Sequence, residues 1–219
     1  MRKKIFMLML SAMLVLSSFA STNVFAASED DYVILYEYSK EELDNMVFTM
    51  EMFNSLYTRE DVAQMVRLEK ASVAPITNQF VRYTATDAEI DQFYEEVEAL
   101  AARAPALSYY FSRVYWQMRN DEYYGPNTVS LTLSPTSVIK NDPDQNHRSA
   151  SWSLVKSECG GSKYWTNTNS MSGQFNCHYQ GQVLVYRGVI SPFGDWDLEP
   201  IRPSTNYFNM VANKCNPKG

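Results

Sequence analysis

Apolar side chains recur at three- and four-residue steps through the first half of the chain. Ser39 stands three residues before Glu42, a capping-box start, and Leu43, Met46, Val47, Met50, Phe53 and Tyr57 follow on one face. This spacing predicts a helix from about Lys40 to Tyr57. Thr58 and Asp61 repeat the start signal ahead of Val62, Met65 and Val66, a shorter helix that should stop before Pro75. Thr86 and Glu89 open a third, with Ile90, Phe93, Tyr94, Val97 and Leu100 on one side, Glu95, Glu96 and Glu98 on the other, and Pro105 as its end. A fourth is predicted from about Ala106 to Arg119 on the stripe Leu107, Tyr110, Phe111, Val114 and Met118. Four amphipathic helices on short links make a small bundle, and stripes of this kind are core rather than a cofactor box.

From about Thr128 the period shortens to two. Val129, Leu131 and Leu133 alternate with Ser130, Thr132 and Ser134 up to Pro135, the pattern of a half-buried strand. Asn141 to Asn146 reads as a polar turn. Trp152 and Leu154 alternate with serines, Phe175, Cys177 and Tyr179 alternate with Asn176 and His178, and Val183 and Val185 between Gly181 and Gly188 suggest a hairpin. Tyr207 to Asn213 reads as a short helix. Glycine draws the same border: all eight lie at Gly125 or beyond, and glycine is punctuation for turns and unfavourable inside helices. The expected class is α+β, an acidic helical bundle over 27–124 followed by a small β-rich domain over 128–219.

The first 26 residues stand apart. Met1-Arg2-Lys3-Lys4 is cationic, Ile5 to Ala20 is uncharged and apolar, and Val24-Phe25-Ala26 is a small-residue exit, so a signal peptide cleaved after Ala26 is expected. No later segment is apolar and long enough to span a bilayer, and no cysteine near the cleavage point could carry a lipid. The short Lys-rich start fits a secreted protein of a Gram-positive bacterium, released or held at the cell envelope. The formal net charge of the full chain is −6. Residues 27–127 hold 8 Lys and Arg against 19 Asp and Glu, whereas 128–219 hold 8 against 6. An acidic surface repels phosphates, which disfavours a nucleic-acid partner.

Three segments carry a resemblance. Gln174-Phe175-Asn176-Cys177-His178, then Trp196-Asp197-Leu198-Glu199-Pro200-Ile201-Arg202-Pro203, then Cys215-Asn216-Pro217 resemble the bacterial domain-of-unknown-function family 2599, which has such segments in this order. Trp152 and Ser153 look like that family's early Trp-Ser pair. The resemblance covers about Thr128 to Pro217 and implies a secreted protein without a known reaction. Three cysteines allow three pairings. The resemblance favours Cys177 with Cys215, which would also tie down a terminus that otherwise frays, and leaves Cys159 over.

Candidate chemistry is sparse, because His147 and His178 are the two histidines of the chain. Cys159 with His178 and an orienting Asp195 or Asp197 has the residue types for acyl transfer. Asp195, Asp197 and Glu199, at steps of two, share a face if extended, and two nearby acids can divide acid and base roles on a glycosidic bond. The structural alternative is a Glu199–Arg202 or Asp197–Arg187 ion pair holding the Pro200 to Pro203 turn. Asp142, Asp144 and Asn146 resemble the start of a calcium loop, but Ser153 stands where the closing Glu belongs, so neither metal nor cofactor is expected. Two functions follow. One is a non-enzymatic module that binds a cell-wall glycan or another surface protein, with Trp196, Gln174 and Arg202 as candidate contacts. The other is a secreted hydrolase or toxin, using His178 with Cys159 or the carboxylates; no catalytic set is assigned, and His178, Glu199 and Arg202 are its candidates.

Overall fold

The computed structural model describes residues 32–73, 83–204 and 207–218. The expected signal peptide, residues 1–26, lies outside them. Among the described residues no helix is long and apolar enough to cross a membrane.

The chain runs through β1 (Tyr32–Glu37), α1 (Lys40–Asn45), α2 (Met50–Leu56), α3 (Arg59–Val73), α4 (Asp87–Ala102), α5 (Leu107–Tyr110), β2 (Phe111–Asp121), β3 (Gly125–Pro135), α6 (Ser137–Asn141), α7 (Gln145–Cys159), α8 (Thr168–Tyr186), β4 (Trp196–Leu198) and α9 (Tyr207–Ala212). The strands form one sheet in the order β1-β2-β3-β4, with β1 antiparallel to β2 and β4 antiparallel to β3. The α+β class and the Cys177–Cys215 disulfide both stand. The described residues form two compact units that interleave along the sequence: a helical unit of 38–73, 83–112 and 135–162, and a sheet unit of 32–37, 113–134, 163–204 and 207–218. The border expected near residue 125 falls at the β2–β3 hairpin.

In the helical unit, helix starts sit where local chemistry puts them. Ser39 and Thr86 accept from the N–H three residues on, while Glu42 and Glu89 reach back to the cap N–H, so two orphan donors are satisfied at each end. The predicted first helix is two. Thr49 accepts from Met52 N–H and starts α2 afresh, and between the helices Val47 forms a bridge to Ala106. The core is Leu43, Phe48, Phe53, Val62, Ile90, Phe93, Val97 and Leu107, with Leu154 and Val155 from α7. Each such side chain contributes about 1.5–3 kcal/mol by leaving water.

Three expected segments differ. The helix predicted over 106–119 is one turn, α5, followed by the strand β2, because Phe111 to Met118 is rich in aromatic and β-branched residues and β1 and β3 supply a ladder on each side. Trp152 and Leu154 lie in a helix, α7, not a strand. Its residues from Ser149 to Val155 are all buried, and the serine hydroxyls donate to carbonyls three or four residues back: Ser149 to Asn146 at 2.9 Å, Ser151 to His147 at 2.6 Å, Ser153 to Ser149 at 2.8 Å. Serine therefore does not mark a solvent face here. Phe175, Cys177, Tyr179, Val183 and Val185 all lie in α8, where strands were expected. Gly173 and Gly181 are packing positions in that helix rather than turns: a Cβ at Gly173 would come within 2.7 Å of Met210 Cε, and one at Gly181 within 3.0 Å of Phe193 Cζ.

Candidate functional site

The three segments of the resemblance converge in the sheet unit. Helix α8, capped by Asn167, presents Gln174, whose amide spans the backbone of Glu199. Its Oε1 accepts from Glu199 N–H at 3.0 Å, and its Nε2 donates to Glu199 C=O at 3.0 Å and to Ser170 Oγ at 3.0 Å. One turn later Cys177 is bonded to Cys215. Arg202 then reaches the terminal segment, donating to the carbonyls of Asn216 at 3.3 Å and Pro217 at 3.4 Å.

Between these clamps lies a buried frame of charge. Glu199 is fully buried, and its two carboxylate oxygens are bonded separately, one to Arg119 and one to Arg202 Nε. Arg202, 3% exposed, also donates to Asp121 Oδ2 at 2.7 Å and lies over the ring of Tyr124 at 5.3 Å. Arg119 bridges Glu199 to Asp197, donating to Asp197 Oδ2 at 2.6 Å. The other Asp197 oxygen accepts from Thr132 Oγ1 at 2.6 Å, Gln117 Nε2 at 3.2 Å and Ser130 Oγ at 3.3 Å. Desolvation works against the charged form of Asp121, yet the N–H groups of Tyr124 and Tyr123 and the charges of Arg202 and Arg119 hold its carboxyl below the usual range. Burial likewise opposes the charge on Arg119, and Asp197 and Glu199 outweigh it, so its pKa is raised.

Such a frame can position backbone, and it leaves no carboxylate oxygen of Glu199 or Asp197 without a donor. The Glu199–Arg202 pair is the structural alternative read from the sequence; Asp197 pairs with Arg119 rather than with Arg187. Asp195 is exposed while Asp197 and Glu199 turn inward, so the three acids do not share one environment. Trp196, Gln174 and Arg202, the candidate contacts, are buried at 0%, 0% and 3% exposure. His178 sits on α8, its ring stacked on Trp196 with centroids 5.8 Å apart and planes 9° from parallel. Burial pushes its pKa down to about 4, against the pull of Asp197. Cys159 belongs to the helical unit, where burial pushes its thiol up to about 12 and its side chain bonds to Tyr38. It is a thiol, not a thiolate, at neutral pH.

Among the described residues, Asp142, Asp144 and His147 bring ligand atoms within 4.8 Å of one another. Asp144 is the α7 cap, accepting from His147 N–H at 2.6 Å, and Asn146, expected beside the two acids, donates its amide to Glu96 at 2.8 Å.

Arg119, Asp121 and Gln117 were not foreseen as part of the site. They lie at steps of two on β2, facing one way, while Val114, Trp116 and Met118 alternate with them. That two-residue alternation is visible in the sequence, but the overlapping helical stripe concealed it.

Fold and site together define a disulfide-stapled α+β domain organised about a buried ion-pair frame. Residues 111–218, the C-terminal part of the chain, match the model of the family described as "Protein of unknown function (DUF2599)". The match takes in all of β2, and with it Arg119 and Asp121, beyond the Thr128 start of the resemblance. No curated protein and no solved structure matches the chain.

Proposed function

We propose that the protein is exported by a Gram-positive bacterium, loses residues 1–26, and acts at the cell envelope as a non-enzymatic binding module for a cell-wall glycan or another surface protein. One observation carries this reading: Asp197, Glu199 and Arg202 of the shared segments are paired with one another or with Arg119 and Asp121 of β2, so they hold a scaffold. The disulfide, which persists in oxidising compartments, and the cationic, apolar, small-residue start of the sequence support export. Binding then falls to the exposed aromatic and apolar side chains of the sheet unit, among them Tyr123 at 51%, Tyr186 at 61% and Ile201 at 56% exposure. Aromatic faces of this kind bury a large area at low entropic cost. The acidic surface of the helical unit keeps anionic polymers away.

Mass spectrometry of the producing culture tests export: a chain beginning at Ala27 in the medium or envelope fraction is expected, and an uncleaved cytosolic chain overturns it. Sedimentation with purified peptidoglycan and with whole cells tests binding. Tyr123→Ala and Tyr186→Ala together should weaken co-sedimentation about tenfold, in line with about 1.4 kcal/mol, while His178→Ala leaves it unchanged. A hydrolytic activity of the purified protein that His178→Ala abolishes overturns the reading.

A further inference from the structure

We propose that residues 187–195 form a strap over His178 that is released when His178 takes up a proton. The strap leaves α8 after Tyr186 and rejoins the sheet at Trp196, and of its nine residues Ile190 and Phe193 are the two half-buried ones, the rest being exposed. Phe193 is its anchor. The Phe193 ring lies 6.2 Å from the His178 ring and rests on Gly181, where the missing Cβ makes room for it. Gly188, at φ +68°, lets the chain turn back at the end of α8. Trp196 stacks on the same imidazole, so His178 touches both the strap's anchor and the sheet.

The ring is bonded to the backbone of Asp197, and Nε2 has no hydrogen-bond partner. A neutral imidazole tolerates a bare acceptor nitrogen. An imidazolium carries an N–H at that atom, and a buried donor left without an acceptor is destabilising. Water supplies the acceptor once Phe193 lifts. The charge that acts on the ring from the packed elements is the Asp197 carboxylate of β4, which favours the proton but is overruled by burial. Helix α9 carries no Asp, Glu, His, Lys or Arg in Tyr207–Ala212, and the strap's own charges, Arg187 and Asp195, sit at its two ends. The displacement from 6.5 to about 4 is roughly a 300-fold bias against the proton. By linkage the proton acts against the closed strap by up to the same factor. A segment with no fully buried residue and only two half-buried ones is at the low-stability end of the molecule and is the part that yields first. Its release uncovers the stacked His178 and Trp196, both within the shared segments.

The test uses the full chain carrying His147→Gln, so that His178 is the one imidazole. Its proton NMR titration is followed together with hydrogen exchange of the strap and α8 amides. Expected are a His178 midpoint between pH 4 and 5, faster strap exchange with that same midpoint, and continued protection of α8. Phe193→Ala in this background should raise the midpoint by at least one pH unit. In His178→Gln the pH dependence of strap exchange should vanish, and if that variant does not fold the Phe193→Ala titration decides. A midpoint near 6.5 in the parent, a midpoint that Phe193→Ala leaves in place, strap exchange that ignores the titration, or α8 losing protection together with the strap each overturns the proposal.

Discussion

The helical unit and the sheet unit use charge in opposite ways. In the first, Lys40–Asp44, Arg59–Asp87 and Arg59–Asp91 span helix surfaces with side chains about half exposed or more on at least one partner. Water screens such pairs, and they contribute little; the apolar stripes hold the helices. In the second, Arg202, Glu199 and Asp121 have at most 9% of their side chains exposed, and each charge is where it is because another is beside it. A buried pair of this kind is not a large net stabiliser compared with apolar packing, but breaking it strands a charge. The same residue types therefore decorate one unit and determine the geometry of the other.

Removing a buried partner should break the contrast most sharply. Arg202→Ala leaves Glu199 and Asp121 short of a cation in a desolvated site, and a loss of about 3–5 kcal/mol is expected in urea denaturation. Co-removal with Glu199→Gln should recover part of that loss, since less charge is then stranded. Next comes the disulfide. With a sequence separation of 38 between Cys177 and Cys215, replacing both by Ser should destabilise by about 3–4 kcal/mol, read from the same denaturation curves with and without reductant.

Acid should separate the units again. The folded pKa of His178 lies at about 4, below the unfolded value of 6.5, so at pH 7 the group is neutral in both states and costs nothing. As pH falls from 6.5 toward 4 the unfolded state binds the proton first, and up to about 3 kcal/mol of stability is lost, with no further change from this group below the folded pKa. His178→Phe should flatten that dependence, while hydrogen exchange in α4 follows no such curve. The smallest effect is expected at the surface: Arg59→Ala, which removes two exposed pairs at once, should leave the urea midpoint within experimental error, and salt should change it no more than in the parent.

Legibility differed between the units for the same reason. Ser39 with Glu42 and Thr86 with Glu89 act across three residues, and a window of that width contains the whole interaction. Serines in α7 and glycines in α8 misled because their meaning depends on what lies across from them. The Ser151 and Ser153 hydroxyls are satisfied by their own helix, and Gly173 and Gly181 accommodate Met210 and Phe193. The segment from Phe111 to Arg119 satisfies a helical stripe and a strand alternation at once, and the neighbouring strands select the second. Of the frame, Glu199 and Arg202 were readable as a local pair. Arg119 and Asp121 were not, since they meet their partners from 78 to 81 residues away.

The amino-acid order alone determined where helices begin in the acidic half and which residues carry the family resemblance, and that resemblance favoured Cys177 with Cys215 among three pairings, the one the structure has. Only the folded chain decided that residues 145–159 and 168–186 are helices, that β2 is a strand, and that five charged side chains close into one frame. Capping is settled by atoms a few bonds apart, whereas burial of a charge or a glycine's neighbour depends on segments that meet after the chain has folded.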